Sequence, residues 1–172
     1  MMEGSKQDVI VTADVYDAYY EHLQVCELQF RSFGRVDSFC GPCDTVATFE
    51  DHTPVFEALQ QKGNGRILVV DGGGSLRVGI LGDKLAAVGV ENGWLGVVIA
   101  GAIRDRSAID ELQIGVKALG TTARRTWTTG PRTRGVSVQF GSITVEPGYW
   151  VYADRDCVLV SRDKQDVRRE RA

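Results

Sequence analysis

Arg104 and Asp105 stand just past the apolar run WLGVVIAG, residues 94–101. Charged residues at the end of such a strand are where α/β proteins place their ligands. Arg104 could grip a carboxylate through a two-pronged bond or stabilise an enolate. Asp105 could hold a divalent cation, directly or through water. A surface ion pair is the alternative. Upstream, Gly82, Asp83, Lys84 and Leu85 open a helix. Backbone N–H groups at a helix start can bind a carboxylate. Asp83 taken by itself reads more simply as an N-cap.

Two other stretches invite chemistry. FCGPCD, residues 39–44, carries the Cys-Gly-Pro-Cys run of thioredoxins. A redox cysteine needs a helix N-terminus to lower its pKa, but DTVATFED follows, and that composition prefers strand. The run is read as a Gly-Pro turn before a strand, flanked by two small buried cysteines. Cys40 and Cys43 would still be able to oxidise to each other. Cys26 and Cys157 read as inert core residues. Zinc is disfavoured, because no second CxxC exists and His22 and His52 lack ligand spacing. VVDGGGS, residues 69–75, looks like a phosphate loop but fits neither glycine fingerprint. It is read as a tight bend, with lining of a cleft as the second reading.

These residues need elements to hold them. TADVYDAYYEHL, residues 12–23, reads as a helix capped by Thr12, with Asp14 in its first turn. TPVFEALQQKG has Pro near a helix start and Gly63 past its end. RILVVDGGG and WLGVVIAG are buried strands, and LGDKLAAVGVENG is the helix between them. RDRSAIDELQIG begins with a loop or short helix. VKALGTTARRTW reads as a strand with a basic exit. The last third, from VSVQF to CVLVS, reads as short strands with turns at Gly141, Pro147-Gly148 and 154–156. Strands alternate with helices in the middle and stand alone at the end, which implies an α/β core with an added antiparallel layer. No repeat or linker breaks residues 1–172, so one domain is expected, with 1–9 and 162–172 as flexible tails.

Length and composition set outer limits. The chain has 172 residues, 43% apolar and 25% charged, with a net charge of −3. A chain this long can bury a core without disulfides or structural metal. No basic face is indicated, so direct nucleic-acid binding is not expected. No apolar run reaches membrane-spanning length, and MMEGSKQDVIV has no apolar signal core. Four cysteines, irregularly spaced, do not make a disulfide scaffold. A reduced, cytoplasmic protein is the expectation.

The blocks VVDGGGSLRVGILGDKLA, ENGWLGVVIAGAIRD and IGVKALGT, with SFGR and GP upstream and PGYWVYADRD downstream, resemble one family. This is the family of the regulator of ribonuclease E activity A, which includes the 4-hydroxy-4-methyl-2-oxoglutarate aldolases. The resemblance covers about residues 10–161. It implies a three-layer β/β/α swivelling domain with a mixed sheet. Members with an acidic residue, twenty intervening residues and Arg-Asp resemble the metal-dependent aldolases and oxaloacetate decarboxylases. Members lacking that pattern resemble the ribonuclease inhibitor. Here Asp83, twenty residues (84–103) and Arg104-Asp105 complete it. By resemblance, the backbone of Gly82, Asp83, Lys84 and Leu85 binds substrate together with Arg104. Asp105 sits at a Mg²⁺ or Mn²⁺ ion, and Asp83 belongs to the catalytic water network. Two positions depart from the pattern. Tyr149 stands where the family has Asp after Pro-Gly, and Cys157 where it has Gly.

The implied activity is a class II lyase acting on 2-oxo dicarboxylates, with oxaloacetate decarboxylation through the same enolate. A Schiff-base route through Lys84 or Lys117 would need a desolvated lysine of lowered pKa, so the metal route is preferred. The alternative is a non-enzymatic protein that masks ribonuclease E or an RNA helicase. Methyl transfer in menaquinone synthesis, a label some relatives carry, is discounted for want of a nucleotide fingerprint. The resemblance also implies homotrimers, sometimes paired into hexamers. In a shared site, Arg124-Arg125 or the N-terminal helix would reach a neighbour's cleft.

Overall fold

A computed structural model describes residues 9–167. Residues 1–8 and 168–172 of the two expected tails lie outside the described residues. Among the described residues there are four α-helices, α1 (Thr12–Tyr19), α2 (Thr53–Leu59), α3 (Asp83–Glu91) and α4 (Arg106–Ile109), with one 3-10 turn at Tyr20–His22 after α1. The strands are β1 (Gln24–Val25), β2 (Arg31–Phe33), β3 (Phe39–Thr48), β4 (Ile67–Asp71), β5 (Gly96–Ile103), β6 (Gly115–Thr121), β7 (Arg132–Arg134), β8 (Val138–Phe140), β9 (Ile143–Val145), β10 (Trp150–Ala153) and β11 (Val158–Ser161). The main sheet runs β1-β11-β10-β3-β4-β5-β6-β2, with β7 added on β3. Strands β3, β4, β5 and β6 are parallel to one another, and the strands flanking them are antiparallel.

Alternation along the parallel strands explains the layers. Leu68, Val70, Val97 and Ile99 join the core under α2 and α3, with Leu59, Ala86 and Ile114. Ile67, Val69 and Val98 face the other way, onto Val138, Ile143, Val151 and Val160 of the antiparallel strands. A parallel sheet buried on both faces must be apolar throughout, and all eight residues of β5 are buried. On the outer face of the antiparallel layer, α1 packs Val15 against Tyr152 and Leu159. The β/β/α arrangement expected from the resemblance is present, with α1 as an outer cover.

Strand β3 overturns one expectation. FCGPC is not a bend before a strand but the first half of β3 itself. Residues 39–42 pair with β10, and residues 43–47 pair with β4. The N–H of Cys43 bonds the carbonyl of Tyr149 at 2.8 Å, on the β10 side. Alternation therefore turns the Pro42 nitrogen to the opposite side, where the β4 ladder starts only at Cys43. Proline removes no ladder bond there. A Gly-Pro pair punctuates most chains, but here it marks the point where β3 changes partner from β10 to β4.

The same strand separates the two thiols. Cys40 packs on the cluster beneath α1, and Cys43 lies in the core between the layers. Three residues of extended chain put their Cα atoms about 10 Å apart, too far for a disulfide. Burial pushes the Cys43 thiol up to about 12, the reverse of what a redox nucleophile needs. The possible oxidation of this pair is therefore excluded while β3 keeps its extended form.

Thr12 does not cap α1 as expected. The Asp154 carboxylate does so, accepting the Thr12 N–H at 2.8 Å and the Thr12 hydroxyl at 2.9 Å. The same carboxylate accepts the N–H groups of Asp156 and Cys157. Residues 161–166 turn back over this region. The Tyr19 hydroxyl donates to the Asp166 carbonyl, and the Gln165 N–H to the Tyr152 hydroxyl, each at 2.6 Å.

Candidate active site

The parallel strands deliver a cleft at their C-terminal ends. Beyond β4 the chain bends at Gly73 and Gly74, both at positive φ, and returns alongside β5. Gly79 bridges Ala102 in parallel, and the Ile80 N–H bonds the Ala102 carbonyl at 2.9 Å. The Arg104 N–H then bonds the Leu81 carbonyl at 2.9 Å. These rungs hold the start of α3 against the end of β5. They bring Asp83 to Arg104-Asp105 across the intervening chain. The resulting cleft, of about 150 Å³, is lined by Gly79, Gly82, Asp83, Lys84, Leu85, Arg104 and Asp105, with His52 and Arg125.

All six residues singled out in the sequence thus line one cleft. Asp83 is the first residue of α3, and Gly82 holds the cap position. The Asp83 carboxylate accepts the Lys84 N–H at 2.8 Å, so that one backbone donor of the expected cradle already has a partner. The Arg104 Nε lies 3.4 Å from Asp105 Oδ2, and its Nη1 lies 3.4 Å from the Ala123 carbonyl. Asp105 has φ 59° and ψ 39°. A left-handed residue other than glycine costs on the order of 1 kcal/mol and tends to mark functional sites. Both pair members remain about one-third exposed, Arg104 at 32% and Asp105 at 36%, and so stay open to a ligand.

Two glycines make room for this pair. A Cβ on Gly82 would stand 2.8 Å from Asp105 Oδ2, and one on Gly79 would stand 2.8 Å from Arg104 Cγ. The donor set suits a hard cation. Mg²⁺ takes one or two carboxylates and keeps several waters. Asp105 and Asp83 supply carboxylates of that kind, and no cluster of three or more His, Cys, Asp or Glu forms a closed cage among the described residues.

The two lysines part company. Lys84 lies in the cleft and is exposed. Lys117 is 1% exposed, and its Nζ donates to Ser32 Oγ at 2.7 Å and to the Asp37 carbonyl at 2.6 Å. Burial lowers its pKa to about 8. It meets the desolvation criterion for a Schiff base, but it does not line the cleft.

His52, Gly79 and Arg125 escaped the reading of the sequence as site residues. They come from three other loops, with no shared spacing to betray them. The basic exit after β6 was visible, yet Arg125 lines its own chain's cleft. Asp51 organises that wall. It is 1% exposed and accepts the N–H groups of Thr53 at 2.9 Å and Gly130 at 3.1 Å. Burial pushes its carboxyl up, but these hydrogen bonds outweigh burial and hold it below the usual range.

The chain is similar to several known proteins. A protein from Alkalilimnicola ehrlichii named "Putative 4-hydroxy-4-methyl-2-oxoglutarate aldolase" is 45% identical over 154 residues, covering 90% of this chain and 96% of its own. The crystal structure of S-adenosylmethionine: 2-dimethylmenaquinone methyltransferase from Geobacillus kaustophilus superposes with a TM-score of 0.87 at 46% identity, covering 90% of this chain and 96% of that one. The RNA-processing inhibitor RraA from Thermus thermophilus superposes with a TM-score of 0.86 at 36% identity, covering 96% and 97%. The RraA-like family model, described as Aldolase/RraA, matches residues 12–160, and the chain belongs to that family.

Proposed function

We propose that this protein is a divalent-metal-dependent C–C lyase. It would cleave 4-hydroxy-4-methyl-2-oxoglutarate and related 2-oxo acids to pyruvate, and decarboxylate oxaloacetate. The observation that carries this reading is the convergence of Asp83, Arg104 and Asp105 on one cleft with the start of α3. The aldolase name borne by relatives 45% identical points the same way.

Asp105, with Asp83 nearby, would hold the cation. A bound Mg²⁺ or Mn²⁺ supplies Lewis-acid polarisation of the 2-oxo group. Arg104 binds the pyruvoyl carboxylate and faces the oxygen on which negative charge grows. The C4 hydroxyl gives its proton to a water held by the Asp83 carboxylate. The C3–C4 bond then breaks. C4 becomes the carbonyl of one pyruvate, and the electron pair enters the enolate of the other. Protonation at C3 completes the second pyruvate. Oxaloacetate loses CO₂ to give the same enolate, so one set of residues serves both reactions.

Pyruvate release from both substrates, with and without added Mg²⁺, tests the proposal. Asp105→Ala and Arg104→Ala should each lower the rate by roughly 10²–10³, the usual cost of removing one electrostatic stabiliser. Undiminished pyruvate release by chelator-treated Asp105→Ala protein would overturn it. The trimer or hexamer implied by the resemblance belongs to the same proposal and is read by light scattering.

A second reading is favoured by the likeness to the Thermus RNA-processing inhibitor. In that role the protein binds ribonuclease E or an associated RNA helicase, and a ribonuclease assay beside the pyruvate assay separates the two. The methyltransferase name of the Geobacillus relative finds no support in the glycine loop after β4, which fits neither nucleotide fingerprint.

A further inference from the structure

We propose that Arg125, with His52 beside it, forms the subsite for the distal carboxylate of a 2-oxo dicarboxylate. This rests on the lyase reading only for the placement of the pyruvoyl end at Arg104.

The cleft holds two guanidinium groups with different commitments. Arg104 is paired with Asp105, which fixes it at the metal end. Arg125 enters none of the ion pairs among the described residues. Its Nε reaches only the neighbouring Thr126 carbonyl, at 3.5 Å. Its Cζ lies over the Trp127 ring, 3.9 Å from the centroid. A guanidinium stacked by its face keeps its in-plane N–H groups for a carboxylate. Arg125 is exposed on the cleft wall and its guanidinium is uncommitted to any carboxylate among the described residues, so its charge is available to a second anion in the cleft.

The position is built rather than incidental. Buried Asp51 ties the turn bearing His52 to the loop bearing Arg125, through Thr53 and Gly130. The Arg104 guanidinium reaches the carbonyl of Ala123, two residues before Arg125. The two guanidinium groups are thus linked through a short piece of backbone, while His52 approaches from α2. A five-carbon dicarboxylate whose C1 end lies at Arg104 directs its C5 carboxylate toward this wall. The His52 imidazole can donate an N–H to it in either tautomer.

Equilibrium titration with 2-oxoglutarate tests this, because that acid has both carboxylates and no C4 hydroxyl to cleave. 2-Oxopentanoate, its single-carboxylate counterpart, is the comparison, with Mg²⁺ present throughout. Wild type should bind 2-oxoglutarate about tenfold or more tighter, the scale of one charge-assisted hydrogen-bonded contact. Arg125→Gln should erase that preference by weakening 2-oxoglutarate alone, and Arg125→Lys should restore part of it. Circular dichroism checks that the variants fold. An unchanged preference in Arg125→Gln, equal loss for both acids, or no preference in wild type would each overturn the subsite. If wild type shows the Arg125-dependent preference yet releases no pyruvate from 4-hydroxy-4-methyl-2-oxoglutarate, the lyase reading falls and the subsite stands.

Discussion

Asp105 is held in a left-handed backbone conformation with its carboxylate against the α-hydrogen side of Gly82. The position of this acid is therefore set from two sides, by its own φ and by the absence of a Cβ opposite. Gly82→Ala places a methyl 2.8 Å from Oδ2, too close for an unshifted contact, so the carboxylate must turn away. Small displacements in a catalytic constellation can cost up to about 10² in rate. Gly82→Ala should therefore lower pyruvate release by roughly 10–10² while the melting temperature moves little. Wild-type rates in that variant would show that Asp105 tolerates a shift. At this scale the sequence was informative where spacing carried the signal. Asp83, Arg104 and Asp105 sit on elements whose boundaries the apolar runs announce. His52 and Arg125 sit on loops, and only the folded backbone brings them to the cleft.

Among the elements, α1 depends on a residue far away in sequence. Asp154 caps it from the turn before β11, a cap no local window can reveal. Burial pushes the Asp154 carboxyl up, but hydrogen bonds from Thr12, Asp156 and Cys157 outweigh it and hold the pKa below the ordinary value. A lowered folded pKa contributes stability above the unfolded value, near 3.9, and loses it as pH falls through the folded one. Asp154→Ala should destabilise the protein by about 1–2 kcal/mol at neutral pH. The gap to wild type should narrow below about pH 4, as Asp154 takes up its proton first in the unfolded chain and only at lower pH in the folded one. Denaturant unfolding at pH 7 and pH 3 reads this, and an equal gap at both would contradict the cap. The misreading of FCGPC belongs to the same scale. Gly-Pro announces a break only where the missing N–H would have been needed, and Pro42 stands where no neighbour asks for it.

For the whole molecule, the parallel strands were legible because burial on both faces makes them apolar runs. The two-residue β1 and three-residue β2 were not, since such short pairings depend on their neighbours. Phe39 shows how the layers are joined. A Cβ on Gly96 would stand 2.7 Å from its ring, and Gly115 packs on the same ring. The two glycines that begin β5 and β6 thus make the space it fills. Removing a buried phenylalanine side chain costs about 3–5 kcal/mol, so Phe39→Ala should lose that much. The loss should appear in one transition, at the same denaturant concentration by far-ultraviolet dichroism and by the fluorescence of buried Trp94. Two separated transitions would mean that the layers unfold independently.

The shared strand β3 also has a consequence for synthesis on the ribosome. Its first half pairs with residues 150–153, and its second half with β4 soon after. As the chain emerges, the parallel layer can form early, but one flank of β3 stays open until residue 153 has left the exit tunnel. At roughly 5–20 residues per second, the nascent chain carries that open edge for several seconds. During that interval the first half of β3 lacks its partner strand, and the arrival of β10 ends the exposure.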